Sequence, residues 1–360
     1  MTTAFERLQL RDKLEAVAPA LSSSDIIPIM SHYWFTGSHV MAYNDRIAIN
    51  CICKTDFKGA LPGLLLQLLK ASQAPKLELE YKPADSEVLF KLGSSRVRLA
   101  VLPPADFVFD MPALEDDANA LKSTRKALVA GIAACLASVG NDTSMPEQLG
   151  VSILPGDDEL HLFATNNATL SRAVVPAKGM KFKRRVILST DFCEQLLKLE
   201  KGAEKISLAI RKDHALFQAD GIMLFGRLID ESKHPLAFNE ILESHFSDAD
   251  AKRLVDIPAK FEAILDRSII ITTSKNDAAR ISIKAEEYDK QNNRIRFLSK
   301  SASGDVSDFL LVSRTHDVAE ITVEPKLLRA GVGRFSKILF TDRCVIMAEG
   351  NTLYMVTASD

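Results

Sequence analysis

Apolar side chains alternate with polar ones around a single glycine at three places in the chain. They read VLFKLGSSRVRLAVLP (88–103), ALFQADGIMLFGRLID (215–230) and CVIMAEGNTLYMVTAS (344–359). Alternation with period two on both sides of a glycine predicts a β-hairpin whose turn uses the glycine's backbone freedom. Gly93, Gly221 and Gly350 stand 128 and 129 residues apart. That spacing suits one domain, whereas solenoid and propeller repeats are much shorter.

Each third of the chain carries the same order of signals. Segments of helical period open it at 5–21, 124–139 and 258–271. In the first, Phe5, Leu8, Leu14, Val17 and Ala18 keep helical spacing, while Arg7 and Arg11 share another face. Strand pairs around polar turns follow at 39–49, 160–175 and 294–312. A second helix is predicted at 61–72, 189–201 and 324–335. In its middle copy Phe192, Cys193, Leu196, Leu197 and Leu199 form the apolar stripe, and Lys198 and Lys201 fall on the polar face. The glycine hairpin closes each third. The order predicts an α+β chain of three tandem similar domains, each with two helices packed on antiparallel sheet. Their expected limits are 1–118, 119–247 and 248–360. Acidic, weakly periodic connectors lie at 111–123 and 243–253.

The composition suits two or three domains: 360 residues, 47% of them hydrophobic. With 45 basic and 47 acidic residues the net charge is −2, so a DNA contact requires basic residues segregated onto one surface. Cys51, Cys53, Cys135, Cys193 and Cys344 are odd in number and lack CxxC spacing, which reads as buried thiols in a reducing compartment. With no leader-like segment and no long apolar run, the expectation is a soluble cytoplasmic protein with no membrane partner.

Candidate chemistry is thin. Asp116–Asp117 and Asp157–Asp158 are adjacent carboxylates in turn-like stretches and read as solvated loops. The scattered histidines offer no metal-ligand spacing, so no metal or other cofactor is expected. AGVGRFSK (330–337) lacks the four-residue glycine spacing of a phosphate loop and reads as a softened helix end. Cys193, a conceivable nucleophile, lies on an apolar stripe. No catalytic set emerges.

Three copies of a helix–sheet unit without catalytic groups resemble the bacterial replicative sliding clamps, the beta subunits of DNA polymerase III. LPPADF (102–107) is similar to the family's LPAADFP, LFGRLIDESKHP (224–235) to SRLIDGxFP, and PIMSHYWF (28–35) to PILSNLLL. The resemblance spans the chain. It implies a homodimeric, non-enzymatic ring that encircles duplex DNA without sequence preference and tethers a DNA polymerase, with a clamp loader as a further partner and the nucleoid as its place of action. Copies of one domain also supply one interface repeatedly, as ring closure requires.

The resemblance places helices around the DNA. Their candidate phosphate contacts are Arg7, Arg11, Lys70, Lys122, Arg125, Lys126, Lys198, Lys201, Lys326, Arg329 and Arg334; each reads equally as an ordinary solvated helix face. At the implied dimer contact stand Phe107 and the run Ile269, Ile270 and Ile271. The implied partner-peptide pocket maps to Thr165, Asn167, Thr169, Leu170, Pro235, Ile241, Cys344, Ile346, Met355, Thr357, Ala358 and Ser359. The chain departs from the family there. The family's TDGHRL becomes Thr165 to Leu170 without its Gly, His and Arg, and the terminal MPMR becomes Thr357-Ala358-Ser359-Asp360. A dedicated polymerase with a differently shaped tail is the expectation. Two other readings stand beside the clamp: a clamp-fold scaffold that recruits replication or repair proteins without encircling DNA, and a cytosolic enzyme using Cys193 or a histidine.

Overall fold

The computed structural model describes every residue except 1, 25, 115–124, 178–183, 204–205, 232, 234, 273–278, 314–319 and 360. Its element order exposes a repeat half as long as the glycine hairpins suggest: strand, helix, then three strands. The first copy is β1 (Thr2–Glu6), α1 (Arg7–Val17), β2 (His32–Phe35), β3 (His39–Tyr43) and β4 (Ile47–Ile52). The second is β5 (Gly59–Pro62), α2 (Leu64–Ala71), β6 (Lys76–Lys82), β7 (Glu87–Leu92) and β8 (Ser95–Ala100). The third begins, among the described residues, with α3 (Arg125–Cys135), then β9 (Gly150–Pro155), β10 (Glu159–Thr165) and β11 (Thr169–Pro176). The fourth is β12 (Val186–Ser189), α4 (Thr190–Glu200), β13 (Ile206–Ile210), β14 (His214–Ala219) and β15 (Ile222–Ile229). The expected connector at 243–253 is partly helical, contributing to α5 (Phe238–Glu243) and α6 (Asp248–Ala251). Ser247 and Asp250 cap α6 reciprocally. The fifth copy is β16 (Val255–Asp256), α7 (Phe261–Thr272), β17 (Ile281–Glu287), β18 (Asn292–Ser301) and β19 (Gly304–Ser313). The sixth is β20 (Glu320–Val323), α8 (Pro325–Gly331), β21 (Lys337–Phe340), β22 (Cys344–Glu349) and β23 (Thr352–Thr357).

The three glycine hairpins are β7–β8, β14–β15 and β22–β23, each with a two-residue turn. Gly93, Gly221 and Gly350 have φ of 63°, 85° and 54°, a region costly for residues with a Cβ. Gly221 takes the second turn position behind Asp220, whereas Gly93 and Gly350 take the first.

Contacts divide the chain into two compact units. One joins Met1–Lys122 with Asp191–Leu228 and the other joins Ser123–Thr190 with Ile229–Asp360. The first unit holds the antiparallel sheets β1-β6-β7-β8 and β13-β14-β15-β4-β3-β2-β5. The second holds β16-β21-β22-β23-β11-β10-β9-β12 and β19-β18-β17-β20. In both units the last strand of one copy pairs with the last strand of the copy three further along, β4 with β15 and β11 with β23.

The core follows the alternation. In the first unit Trp34 is fully buried, stacks on Phe107 at 4.9 Å and donates its ring N–H to the Ile29 carbonyl at 2.7 Å. Leu10, Leu14 and Val17 carry the buried face of α1, while Phe5 lies on β1 and Leu8 is exposed. In the second unit Phe261 of α7 meets Phe297 and Phe340 of two sheets. Every cysteine is a buried thiol outside any disulfide, Cys193 included.

Candidate nucleic-acid and peptide interfaces

The basic residues expected on the helices divide into three groups. Arg7 is committed to structure. Its guanidinium donates to the Ala74 carbonyl at 2.7 Å and to the Leu69 carbonyl at 3.0 Å, covering the C-terminal end of α2. Arg334 donates to the Ala133 carbonyl in the last turn of α3 at 3.5 Å.

A second group sits in acid–base bridges. Arg11 pairs with Asp12 at 2.7 Å and approaches Glu15 at 3.9 Å, and Lys70 of α2 pairs with the same Glu15 at 2.9 Å. Arg329 of α8 donates to Asp266 of α7 at 2.8 Å and also to Glu262. The carboxylate hydrogen bonds raise both guanidinium pKa values above the ordinary one, Asp12 acting on Arg11 and Asp266 on Arg329.

The third group is Lys198 and Lys201 at the end of α4 and Lys326 in α8. All three are exposed and have no ion pair among the described residues. Arg125 and Lys126 open α3, but their side chains lie outside the described residues, as does Lys122 entirely. Sequence reading found the bases and missed the acids that hold them. The i,i+4 spacing of Arg11 to Glu15 and of Glu262 to Asp266 was the available signal.

The residues expected to form a peptide pocket all lie in the second unit. Leu170, Cys344, Ile346 and Met355 share one apolar cluster with Phe163, Phe238 and Leu242, and partly buried Ile241 packs against it. Thr165 and Thr169 are buried as well, with the Thr165 hydroxyl donating to the Thr169 carbonyl at 2.8 Å. Asn167, Pro235 and Ala358 are exposed, while Thr357 and Ser359 are half-buried. Backbone hydrogen bonds pin the tail: Thr357 to Ala168 at 3.0 Å, Ala358 to Arg343 at 3.0 Å and Ser359 to Thr322 at 2.7 Å.

The apolar floor is covered by α5. Phe238 lies flat on Phe163 with centroids 5.0 Å apart, and the Arg185 guanidinium sits 4.6 Å over the Phe238 ring. Arg185 also donates to the Leu236 carbonyl at 3.0 Å and pairs with Glu231 at 3.4 Å. Burial lowers its pKa from the ordinary value, against the pull of Glu231. Beside α5 a cavity of about 410 Å³ is lined largely by charged and polar groups, among them Glu243, His245, Asp250, Arg253 and Arg343.

Two last strands, β8 and β19, are sheet edges among the described residues. β8 exposes Arg96 and Arg98, and β19 exposes Asp305, Phe309 and Leu311. Phe107 faces Trp34 inside the first unit. Ile269 and Ile271 are half-buried on α7, and Ile270 is 74% exposed.

No family model matches the sequence, and no curated protein matches it. Solved structures do match, over the whole chain. The DNA polymerase sliding clamp from Bacillus subtilis superposes with a TM-score of 0.81 at 16% identity, covering 100% of this chain and 99% of that one. The chain has the sliding-clamp fold. Caulobacter crescentus pol III beta gives a TM-score of 0.80 at 18% identity, with 100% of both chains covered. The DNA polymerase III beta subunit from Thermotoga maritima gives 0.80 at 15%, covering 100% and 99%. The α+β class and the antiparallel sheets expected from the sequence are those of this clamp fold.

Proposed function

We propose that the chain is a non-enzymatic DNA sliding clamp, a homodimeric ring that holds duplex DNA without reading its sequence and tethers a polymerase, with loading by a clamp loader. Its three domains would span 1–118, 119–247 and 248–360, two repeat copies in each. The observation that carries the ring is the strand-pairing rule. Each unit joins the last strands of copies three apart, and the two last strands left as edges are β8 of the second copy and β19 of the fifth. Both pairings start from an odd-numbered copy, first with fourth and third with sixth, so counting three copies on from the fifth leads out of this chain and into the second copy of another.

The side chains favour the same junction. An edge strand bearing exposed Phe309 and Leu311 invites pairing, and Asp305 on it suits Arg96 and Arg98 on β8. Edge-to-edge pairing in both directions closes two chains into one ring with no strand edge left over at the seams. The expected DNA contacts would be non-specific, made by side chains to phosphate. Action on DNA in the cytoplasm follows from this reading.

Retention on DNA tests it. After incubation with nicked circular duplex and its cognate loader, the protein should co-elute with the circle and be lost when the circle is linearised. Equal retention on both forms would mean binding without encirclement, and would favour a clamp-fold scaffold.

A further inference from the structure

The clamp reading puts the helices against DNA, yet two helix pairs carry their own counter-ions. In the first unit α1 and α2 pack together and Glu15 bridges Lys70 and Arg11. In the second unit α7 and α8 pack together and Asp266 with Glu262 bridges Arg329. The arrangement is the same in both: an acid on the first helix of the pair captures a base on the second. The third repeat opens with a helix of different character. The segment RKALVAGIAAC of α3 contains no acid, and Lys198 and Lys201 of α4 are exposed without an ion pair among the described residues.

We infer that Glu15 holds Lys70, Asp12 with Glu15 holds Arg11, and Asp266 with Glu262 holds Arg329 back from the phosphates, so that the grip on DNA falls to bases with no ion pair among the described residues, Lys198, Lys201 and Lys326 among them. The inference rests on the proposed DNA-encircling function. Its physical basis is competition. A base already paired with a carboxylate gains little from a phosphate, because the existing partner must be released and resolvated. The carboxylates, about half exposed, would also face the phosphates with like charge. A ring held on DNA by encirclement does not need every base on a phosphate, and each added phosphate contact raises affinity and its salt dependence. The acids therefore tune grip, and removing them should tighten it.

The test is the salt dependence of duplex binding by the full-length chain, read as fluorescence anisotropy of a labelled duplex. Glu262→Gln/Asp266→Asn should bind more tightly at low salt. It should also lose about threefold more affinity than the parent between ~50 and ~200 mM salt for each cation freed, from a slope of about 0.9 per phosphate contact. Adding Arg329→Gln to that variant should return the parental slope, which identifies the freed base as the cause. Glu15→Gln should act in the same direction through Lys70, independently of α7, while Asp12 still holds Arg11. Lys198→Gln/Lys201→Gln should weaken binding and flatten the slope.

If the lysine variant weakens binding while both acid variants keep the parental slope, the inference is overturned and the DNA reading stands. If no variant binds duplex and neither does the parent, the DNA reading falls and the inference with it.

Discussion

Cys51 illustrates how burial sets the chemistry of a single group. Its Sγ lies under α1, donating to the Lys13 carbonyl at 3.8 Å, and the side chain is only 5% exposed. Burial, reinforced by Cys53, pushes the thiol from an ordinary value of 9.0 up to about 12. A group raised in the folded state stabilises fully below its unfolded pKa. That contribution is lost as pH climbs from about 9 toward about 12. The melting temperature of the parent should therefore fall more steeply than that of Cys51→Ala when pH is raised from about 8 to about 10. Parallel slopes in the two proteins would mean that the thiol is not buried in solution. Composition alone had assigned all five cysteines to the interior, and residue by residue that reading holds. Exposure of individual bases was another matter. Arg7 and Lys198 both stood on polar helix faces in the sequence, yet one is spent on backbone carbonyls and the other is exposed. The difference lies in what the neighbouring helix presents, which local spacing does not encode.

At the scale of elements, periodicity located the helices and hairpins well. The expected helix at 189–201 is α4 at Thr190–Glu200, and the strand pair at 160–175 is β10 with β11. The half-length repeat escaped notice because its copies share a pattern of strands rather than a marker residue. Only every second copy ends in a glycine hairpin. The connector at 243–253 hides the single turn of α6, and the short helix α5 just before it drew no assignment, since one turn and a half of helix leaves little periodic signal. Its consequence is functional. With Phe238 and Leu242 filling the cluster around Leu170, Ile346 and Met355, no apolar floor is open to an incoming side chain among the described residues. A standard clamp-binding peptide should therefore bind the parent more weakly than micromolar in calorimetric titration. Phe238→Ala should recover binding, at a stability cost of roughly 3–5 kcal/mol for the lost aromatic. Micromolar binding to the parent would show that α5 does not block the groove.

For the whole molecule, the decisive measurement is its mass in solution. Charging Phe107 would disturb the stack on Trp34 and confound folding with assembly. The strand edges offer a cleaner test. If β8 pairs with β19 of a second chain as proposed, Arg96→Glu/Arg98→Glu places like charge opposite Asp305 and should convert a sedimenting dimer into a folded monomer, unchanged in circular dichroism. A variant that stays dimeric would exclude β8 from the contact. What the sequence determined by itself was local and periodic: where helices and strands run, that a unit recurs, and which thiols go inside. Those follow from side-chain spacing, which every residue reports independently of its distant neighbours. Tertiary structure alone decided which strands lie at an edge, which bases meet an acid, and what covers the groove. Each of these depends on groups far apart in sequence, Lys70 with Glu15 or Arg329 with Asp266, and their encounter is fixed by packing rather than by spacing.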